Sequence, residues 1–434
     1  LAAIFRIMKK KIPVEDLHPG MYVSELDRHW RDTPFLFQGF EITTEEEIEE
    51  LKRHCKHVFI DTDEGSDVSP KPRRVTATSF TAVASGENSK ERVIHLEKVV
   101  ENFAPWHRHA PRYQDLTTVD EEIGQAKIVV TKTREAVYDI MEDVRLGRSI
   151  DTSGAKKVVA DMVDSVIRNP DALMCLNQLK NKDEYTALHS LRVCVLALAF
   201  GRHLDLSDEE LNLLGLGALL HDVGKMKVPN DIINKPGKLT EEEFTLMKSH
   251  VPCGVDILEQ THGIPAVAID VARFHHERYA GGGYAIGVKG EDIGLFGTVG
   301  AIVDCYDAIT SDRSYHAGMS AHDALKKMYS WRGRDFQPVL VEQFIQCMGI
   351  YPIGSVVELS TGAIGVVISV NRTRRLKPKV AMVLNPDKTP FTPAKVIDLM
   401  HQEGAGPGRE LEIRKVLPPG AHGVLPTKYI PLGG

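Results

Sequence analysis

Five short stretches of this chain place imidazole or carboxylate side chains at the ends or inner faces of apolar runs. His189 lies in "EYTALHSLRVCVLALAF". His221 and Asp222 end the run Leu211–Leu220 in "GALLHDVGK". His250 follows "FTLMKS", His275 and His276 follow "IPAVAIDVARF", and Asp304 lies in "TVGAIVDCYDAITSDRSY". Each has an ordinary explanation when taken alone. A single histidine in an apolar helix is commonly a satisfied core residue, and one at a helix C-terminus complements the dipole. Together those explanations fail. An acid among Val299, Ile302 and Val303 is costly to bury unless paired or metal-bound. Adjacent histidines point to different sides of a helix, so packing does not account for the pair. All seven groups (His189, His221, Asp222, His250, His275, His276 and Asp304) have the ligand chemistry of borderline divalent metals such as iron, manganese, cobalt, nickel or zinc. Seven donors exceed the needs of one ion. They predict two, with the carboxylate of Asp222 as the bridge. Two such ions suit hydrolysis of a phosphodiester, and Lys225, one turn beyond the pair, is placed to neutralise a phosphate oxygen.

The elements that must position these groups follow from periodicity. Amphipathic helices are predicted over 120–146, 154–168, 184–203, 208–220, 240–249, 253–260, 264–274, 294–311 and 320–329. Residues 9–63 mix short β-like runs, Met21–Leu26 and His57–Asp61, with a helix in "TTEEEIEELKRHC", where Thr44 caps and acids fill the first turn. Trp30, Phe35, Phe37 and Phe40 are expected to form the core of that domain. Residues 64–92 are rich in Ser, Thr, Pro and charge, and 64–119 is assigned to linker or loop. From 351 to 434 short alternating runs, with a turn at Thr361-Gly362, predict a β-rich appendage. The expected fold is therefore mainly α. A helical domain at 120–350 is flanked by a small α+β domain at 9–63 and the C-terminal β appendage.

Composition narrows the class. The chain has 434 residues, 42% apolar and 26% charged, as in ordinary globular domains, with a formal net charge of -7. That balance gives no electrostatic footprint for polymeric nucleic acid. No run approaches the roughly 20 apolar residues of a membrane span, and the opening "LAAIFRIMKKKIP" lacks signal-peptide order. Six scattered cysteines without a CxxC pair predict reduced thiols and a cytoplasmic location.

At this point the sequence resembles the HD-GYP branch of the HD-domain phosphohydrolases. The matching segments are "HSLRV" at 189–193, "HDVGKMKVPNDIINKPGKLTEEE" at 221–243, "MKSHVPCGVDIL" at 247–258, "HHERYAGGGYAIG" at 275–287 and "DCYDAITSDRSY" at 304–315. The resemblance covers roughly residues 180 to 350. It implies a helical HD-domain bundle that hydrolyses cyclic di-GMP to pGpG and often on to GMP, using two or three metals, commonly iron or manganese. It carries the metal-ligand role to the seven donors above, with Asp222 and Lys225 catalytic. Arg313, Lys235, Lys238 and Tyr284 are expected to bind substrate. Members with a third metal have a Glu four residues before the first His. That position is Tyr185 here, with Glu184 one residue further back, so two metals are expected. Residues 9–63 resemble an uncharacterised domain often found ahead of HD-GYP domains.

Two departures bear on activity. The family's Gly-Tyr-Pro stands as Gly283-Tyr284-Ala285, and Ala280 replaces the Asp of the preceding stretch. Loss of the proline is expected to loosen that loop. These departures motivate an alternative, a catalytically weak cyclic dinucleotide receptor. A second alternative is an HD hydrolase for another nucleotide. The sequence allows a homodimer through the helical region, although no residue pattern specifies it. A signalling partner would meet the N-terminal domain or the Gly-rich loop.

Overall fold

Acidic first turns and Ser/Thr caps begin five helices, starting at Glu45, Val119, Asp208, Glu241 and Ala321, and the computed structural model realises these signals. It describes residues 9–28, 30, 33, 35–37, 39–62, 64–66, 87–103, 112–178, 185–312, 318–371, 374–401 and 411–430, with backbone alone at 87–94, 185 and 186. The chain divides into two units, residues 1–84 and 85–434.

The first unit is an antiparallel sheet with one helix. Strands β1 (Lys9–Pro13), β2 (Tyr22–Leu26), β3 (Phe40–Glu41) and β4 (His57–Asp61) lie in the order β1-β4-β2-β3. Helix α1 (Glu45–His54) starts with the Thr44/Glu47 capping box. Alternate strand residues Ile12, Val23, Val58 and Ile60 join Ile48 and Leu51 of α1 in the core. Three of the four expected aromatics, Trp30, Phe35 and Phe40, are part of this packing. Phe37 and Phe40 are buried, and Trp30 meets Phe35 and Phe40 edge-on.

The second unit opens with α2 (Glu87–Asn102), inside the stretch assigned to linker. Its Leu96 and Val99 are buried, and the helix packs on α12 and on the 3-10 turn Gly290–Ile293. Tertiary contact thus stabilises a helix whose sequence is too polar to announce one. Then come α3 (Val119–Arg145), α4 (Thr152–Arg168), α5 (Pro170–Leu176), α6 (Tyr185–His203), α7 (Asp208–Leu220), α8 (Asn230–Ile233), α9 (Glu241–Lys248), α10 (His250–Gln260), α11 (Ala266–Phe274), α12 (Gly294–Thr310), α13 (Ala321–Ser330) and α14 (Pro338–Met348). Short, fully buried α5 has no polar face, so periodicity does not reveal it.

Helices α6, α7, α11 and α12 form the centre, with α7 against α6 and α11, and α12 against α6 and α11. One stretch, Gly290–Thr310, is long and apolar enough to cross a membrane by composition. Most of it is buried inside the protein, as expected of the middle helix of a bundle.

Strands β5 (Val356–Leu359), β6 (Ile364–Ser369), β7 (Lys379–Leu384), β8 (Pro390–Asp398) and β9 (Ile413–Leu417) form the C-terminal antiparallel sheet, ordered β8-β7-β6-β5-β9. The expected turn is present, with Gly362 N donating to Leu359 O. Ser369 Oγ at the end of β6 donates to Asp171 of α5 at 3.1 Å, tying the sheet to the helices.

Helices α3 and α4 are joined by a buried acid. Glu122 accepts from Ser165 Oγ at 2.7 Å and takes both prongs of the Arg168 guanidinium at 2.7 and 2.9 Å. Glu122→Ala leaves the buried Ser165 hydroxyl unpaired and is expected to cost about 2 kcal/mol. A urea midpoint for the helical unit equal to that of the wild type would show that the pair does not hold these helices.

Candidate metal centre

Helix C-termini leave carbonyls unpaired, and three of the donor histidines close them. His221 Nδ1 lies 2.8 Å from Ala218 O, His250 Nδ1 2.6 Å from Met247 O, and His275 Nδ1 2.9 Å from Ala272 O. Each contact runs to the carbonyl three residues back, at the end of α7, α9 or α11. A neutral ring whose Nδ1–H donates to a carbonyl presents a lone pair at Nε2. The three Nε2 atoms face inward, and those of His250 and His275 are 3.4 Å apart.

Around them the carboxylates divide the site in two. Asp222 Oδ1 faces His250 Nε2 at 3.4 Å and His275 Nε2 at 3.9 Å. Its Oδ2 faces His221 Nε2 at 3.3 Å and His189 Nε2 at 3.4 Å. Asp304 Oδ1 lies 3.0 Å from His189 Nε2, while its Oδ2 lies 3.9 Å from His276 Nδ1. Donor atoms of His250, His275 and His276, of His189, His221 and Asp304, and of His221, Asp222 and His275 each gather within 4.8 Å. All seven predicted donors are therefore brought together, and every one except His276 is buried. Asp222 Oδ1 and His221 Nε2 are buried with no hydrogen-bond partner among the described residues. Buried polar atoms rarely go unsatisfied, and imidazole lone pairs facing carboxylates are the donor set a divalent cation requires. The residues fit a metal.

One close approach holds the halves together. A Cβ on Gly224, in the 3-10 turn Val223–Lys227, would lie 1.9 Å from His250 O and 2.5 Å from Gly254 N. Only glycine lets the turn after Asp222 rest on the start of α10, which brings His250 to Asp222.

Charge is balanced from outside the donor set. Burial opposes ionisation of Asp222, but His221 and Lys225 outweigh it and hold the carboxyl well below its usual range. Lys225 Nζ donates to Asp222 Oδ2. Sequence reasoning missed Asp307, one turn after Asp304. It is buried, accepts from Arg192 Nε at 2.8 Å and Nη2 at 2.9 Å, and lies 2.7 Å from His189 Nδ1. The available signal was its i, i+3 spacing from Asp304 on a helix with no polar face. Burial pushes the His189 pKa down, but Asp304 and Asp307 together raise it to about 9. Burial leaves His275 neutral, with its pKa brought down to about 3.

The predicted substrate residues fare unevenly. Tyr284 is brought to the site, its ring stacked on His276 at 4.4 Å. Lys235 instead donates to both carboxylate oxygens of Glu243, at 2.7 and 2.6 Å. Lys238 is exposed and makes no hydrogen bond or ion pair among the described residues. Arg313 and Glu184 lie outside the described residues.

The Gly-rich loop is organised rather than loosened. Ala285 has φ +102°, in the left-handed half of the map, which proline cannot enter. Glu277, buried and also missed as a site residue, accepts from Ile286 N at 2.9 Å and Gly287 N at 2.8 Å. A Cβ on Gly283 would lie 2.5 Å from Glu277 Cα, so the loop lies directly on the His276–Glu277 backbone. Absence of the proline accompanies a loop whose next residues are hydrogen-bonded in place.

Fold and donor set together define an HD-type metal-binding helical protein. The HD domain model matches residues 172–340, a domain of unknown function, DUF3391, matches 9–155, and a KOW domain associated with HD domains matches 356–405. The chain is 36% identical over 394 residues to the cyclic di-GMP phosphodiesterase PA4108 of Pseudomonas aeruginosa, covering 90% of this chain and 89% of that one. It belongs to the HD-GYP family. It is also 33% identical over 171 residues to 3'3'-cGAMP-specific phosphodiesterase 2 of Vibrio cholerae, covering 39% of this chain and 33% of that one. Among solved structures, Bd1817, an HD-GYP-type protein of Bdellovibrio bacteriovorus, aligns with TM-score 0.44 and 18% identity over 77% of this chain and 98% of that one.

Two outcomes follow from this geometry. Because the His189 pKa is raised from 6.5 to about 9, its ring carries both protons at neutral pH in the metal-free protein. Ligation through Nε2 must expel one, so manganese binding at pH 7.5 is expected to release about one proton from this ring and to tighten as pH rises towards 9. Titration calorimetry in buffers of different ionisation enthalpy reads this release. Asp307→Asn should abolish most of it, and an equal release in that variant would refute the coupling. For the loop, Ala285→Gly is expected to stabilise by about 1 kcal/mol and Ala285→Pro to destabilise. A proline variant melting at or above the wild-type temperature would contradict the positive φ.

Proposed function

We propose that this protein is a metal-dependent phosphodiesterase that hydrolyses cyclic di-GMP to pGpG, with GMP as a further product. The observation that carries this reading is the seven-donor set with Asp222 at its centre. Each Asp222 oxygen faces a different pair of imidazoles, and Oδ1 has no hydrogen-bond partner among the described residues. That arrangement suits two ions bridged by Asp222, one held with His189, His221 and Asp304 and the other with His250, His275 and His276. Iron or manganese fits this mixture of imidazole and carboxylate. Bound there, the ions would supply Lewis acidity towards the phosphoryl group and an activated water.

The chain's own residues do the rest. Asp307 fixes the His189 ring through Nδ1 and shares its charge with Arg192, so that ring is aimed before anything binds. Lys225 neutralises Asp222 in the metal-free site. With metal held by the donor set, the Lys225 ammonium would be available to a non-bridging phosphate oxygen. Tyr284 covers His276 and shields that side of the centre from water. Lys235 holds Glu243 at the start of α9 in the absence of substrate.

Substrate class comes from the relatives. The one matched along nearly its whole length is named for cyclic di-GMP, and shorter matches are named for 3'3'-cGAMP. The complete donor set favours catalysis over a receptor role. Anaerobically purified protein is expected to contain two metals per chain and to cleave cyclic di-GMP faster than 3'3'-cGAMP, with Asp222→Ala losing both metal and turnover. Two bound metals with no cleavage of cyclic di-GMP over a long incubation would overturn the assignment.

A further inference from the structure

Helix α9 is anomalous for an element beside a buried metal site, since none of its residues is buried. Polar contacts at its N-terminal end hold it instead. The Thr240/Glu243 capping box begins it, and Lys235 clamps the same Glu243 carboxylate. From this helix Phe244, 45% exposed, meets the edge of Tyr284 at 6.0 Å and 78°. Tyr284 in turn stacks on His276 at 4.4 Å and 27°. A continuous aromatic path therefore runs from the donor set to solvent through His276, Tyr284 and Phe244. Ile286, two residues past Tyr284, is 58% exposed beside it, and Lys248 Nζ stands 4.9 Å from the centre of the Phe244 ring. A large apolar ring left in water, braced against a second ring over the metal ligands, is a surface made to be covered.

The geometry points to Phe244 as a base-recognition residue. Phe244 and Tyr284 form a two-ring corner that takes one purine of the cyclic dinucleotide while its phosphodiester lies over the donor set, with Lys248 beside that corner. This assignment rests on the phosphodiesterase reading and names what that reading leaves open, the residue that tells a nucleotide from any other phosphodiester. Aromatic stacking on a nucleobase is sequence-tolerant and strong enough to dominate substrate affinity. Because Phe244 supports no core, its removal tests recognition with little risk to folding. The Lys235–Glu243 clamp is a positioning contact, acting through the placement of α9.

The experiment compares wild type, Phe244→Ala and Phe244→Trp on cyclic di-GMP and on glycerophosphoethanolamine, a phosphodiester with no aromatic ring. Metal content is measured, and so is equilibrium binding of cyclic di-GMP to metal-free protein. Phe244→Ala is expected to raise KM for cyclic di-GMP about tenfold and to weaken equilibrium binding to a similar degree. Its kcat and bound metal should change little, with the loss confined to the dinucleotide. Phe244→Trp should restore binding. An unchanged KM and Kd in Phe244→Ala, or equal losses on both substrates, overturns the assignment. Wild-type protein that binds cyclic di-GMP through Phe244 without cleaving it would leave the corner standing and remove the phosphodiesterase reading. Absence of both binding and cleavage in wild type would overturn both.

Discussion

The Nδ1 contacts of His221, His250 and His275 to the carbonyls three residues back do two things at once. They satisfy the last turns of α7, α9 and α11, and they force the remaining lone pair of each ring towards a common point. Three helix ends must then converge within a few ångströms. That convergence requires the backbone to pack without a side chain at Gly224. Much of the helical unit's architecture is the consequence. The apolar α7 and α12 lie at the centre because α7 leads directly into Asp222 and α12 carries Asp304 in its interior, and neither carboxylate can be held in water-free surroundings unless the elements bearing it are themselves buried.

Placing three buried acids beside five imidazoles raises an electrostatic problem that the structure answers from the periphery. Asp307 is neutralised by Arg192, Asp222 by Lys225, and Asp304 by the protonated ring of His189. The metal-free centre is therefore a set of ion pairs poised for exchange, in which cations replace protons and an ammonium. Buried ion pairs contribute little to stability in themselves. Their presence here is better understood as charge held ready for a ligand.

Around this rigid centre the variable parts are polar and shallow. The Gly-rich loop lacks the proline its family signature contains, yet it follows a defined path because Glu277 receives two backbone N–H groups and Ala285 takes a positive φ. Helix α9 is anchored by a capping box and one lysine rather than by a core.

The seven donors were legible in the sequence because polar groups inside apolar runs are conspicuous, and the long helices because amphipathic spacing and Ser/Thr caps are local properties. Asp307 and Glu277 were not legible as supports. Their roles depend on Arg192, His189 and the Ile286–Gly287 backbone, which meet them only once the chain has folded. The same holds for α2, whose helicity depends on packing against α12, and for Lys235, whose partner Glu243 lies eight residues away on the next helix. Residue type and spacing determined what chemistry this chain can hold. Tertiary structure decided which atoms face one another, because hydrogen-bond direction and the distance between two carboxylate oxygens are set by how helices cross, and no pattern along one strand of sequence encodes that.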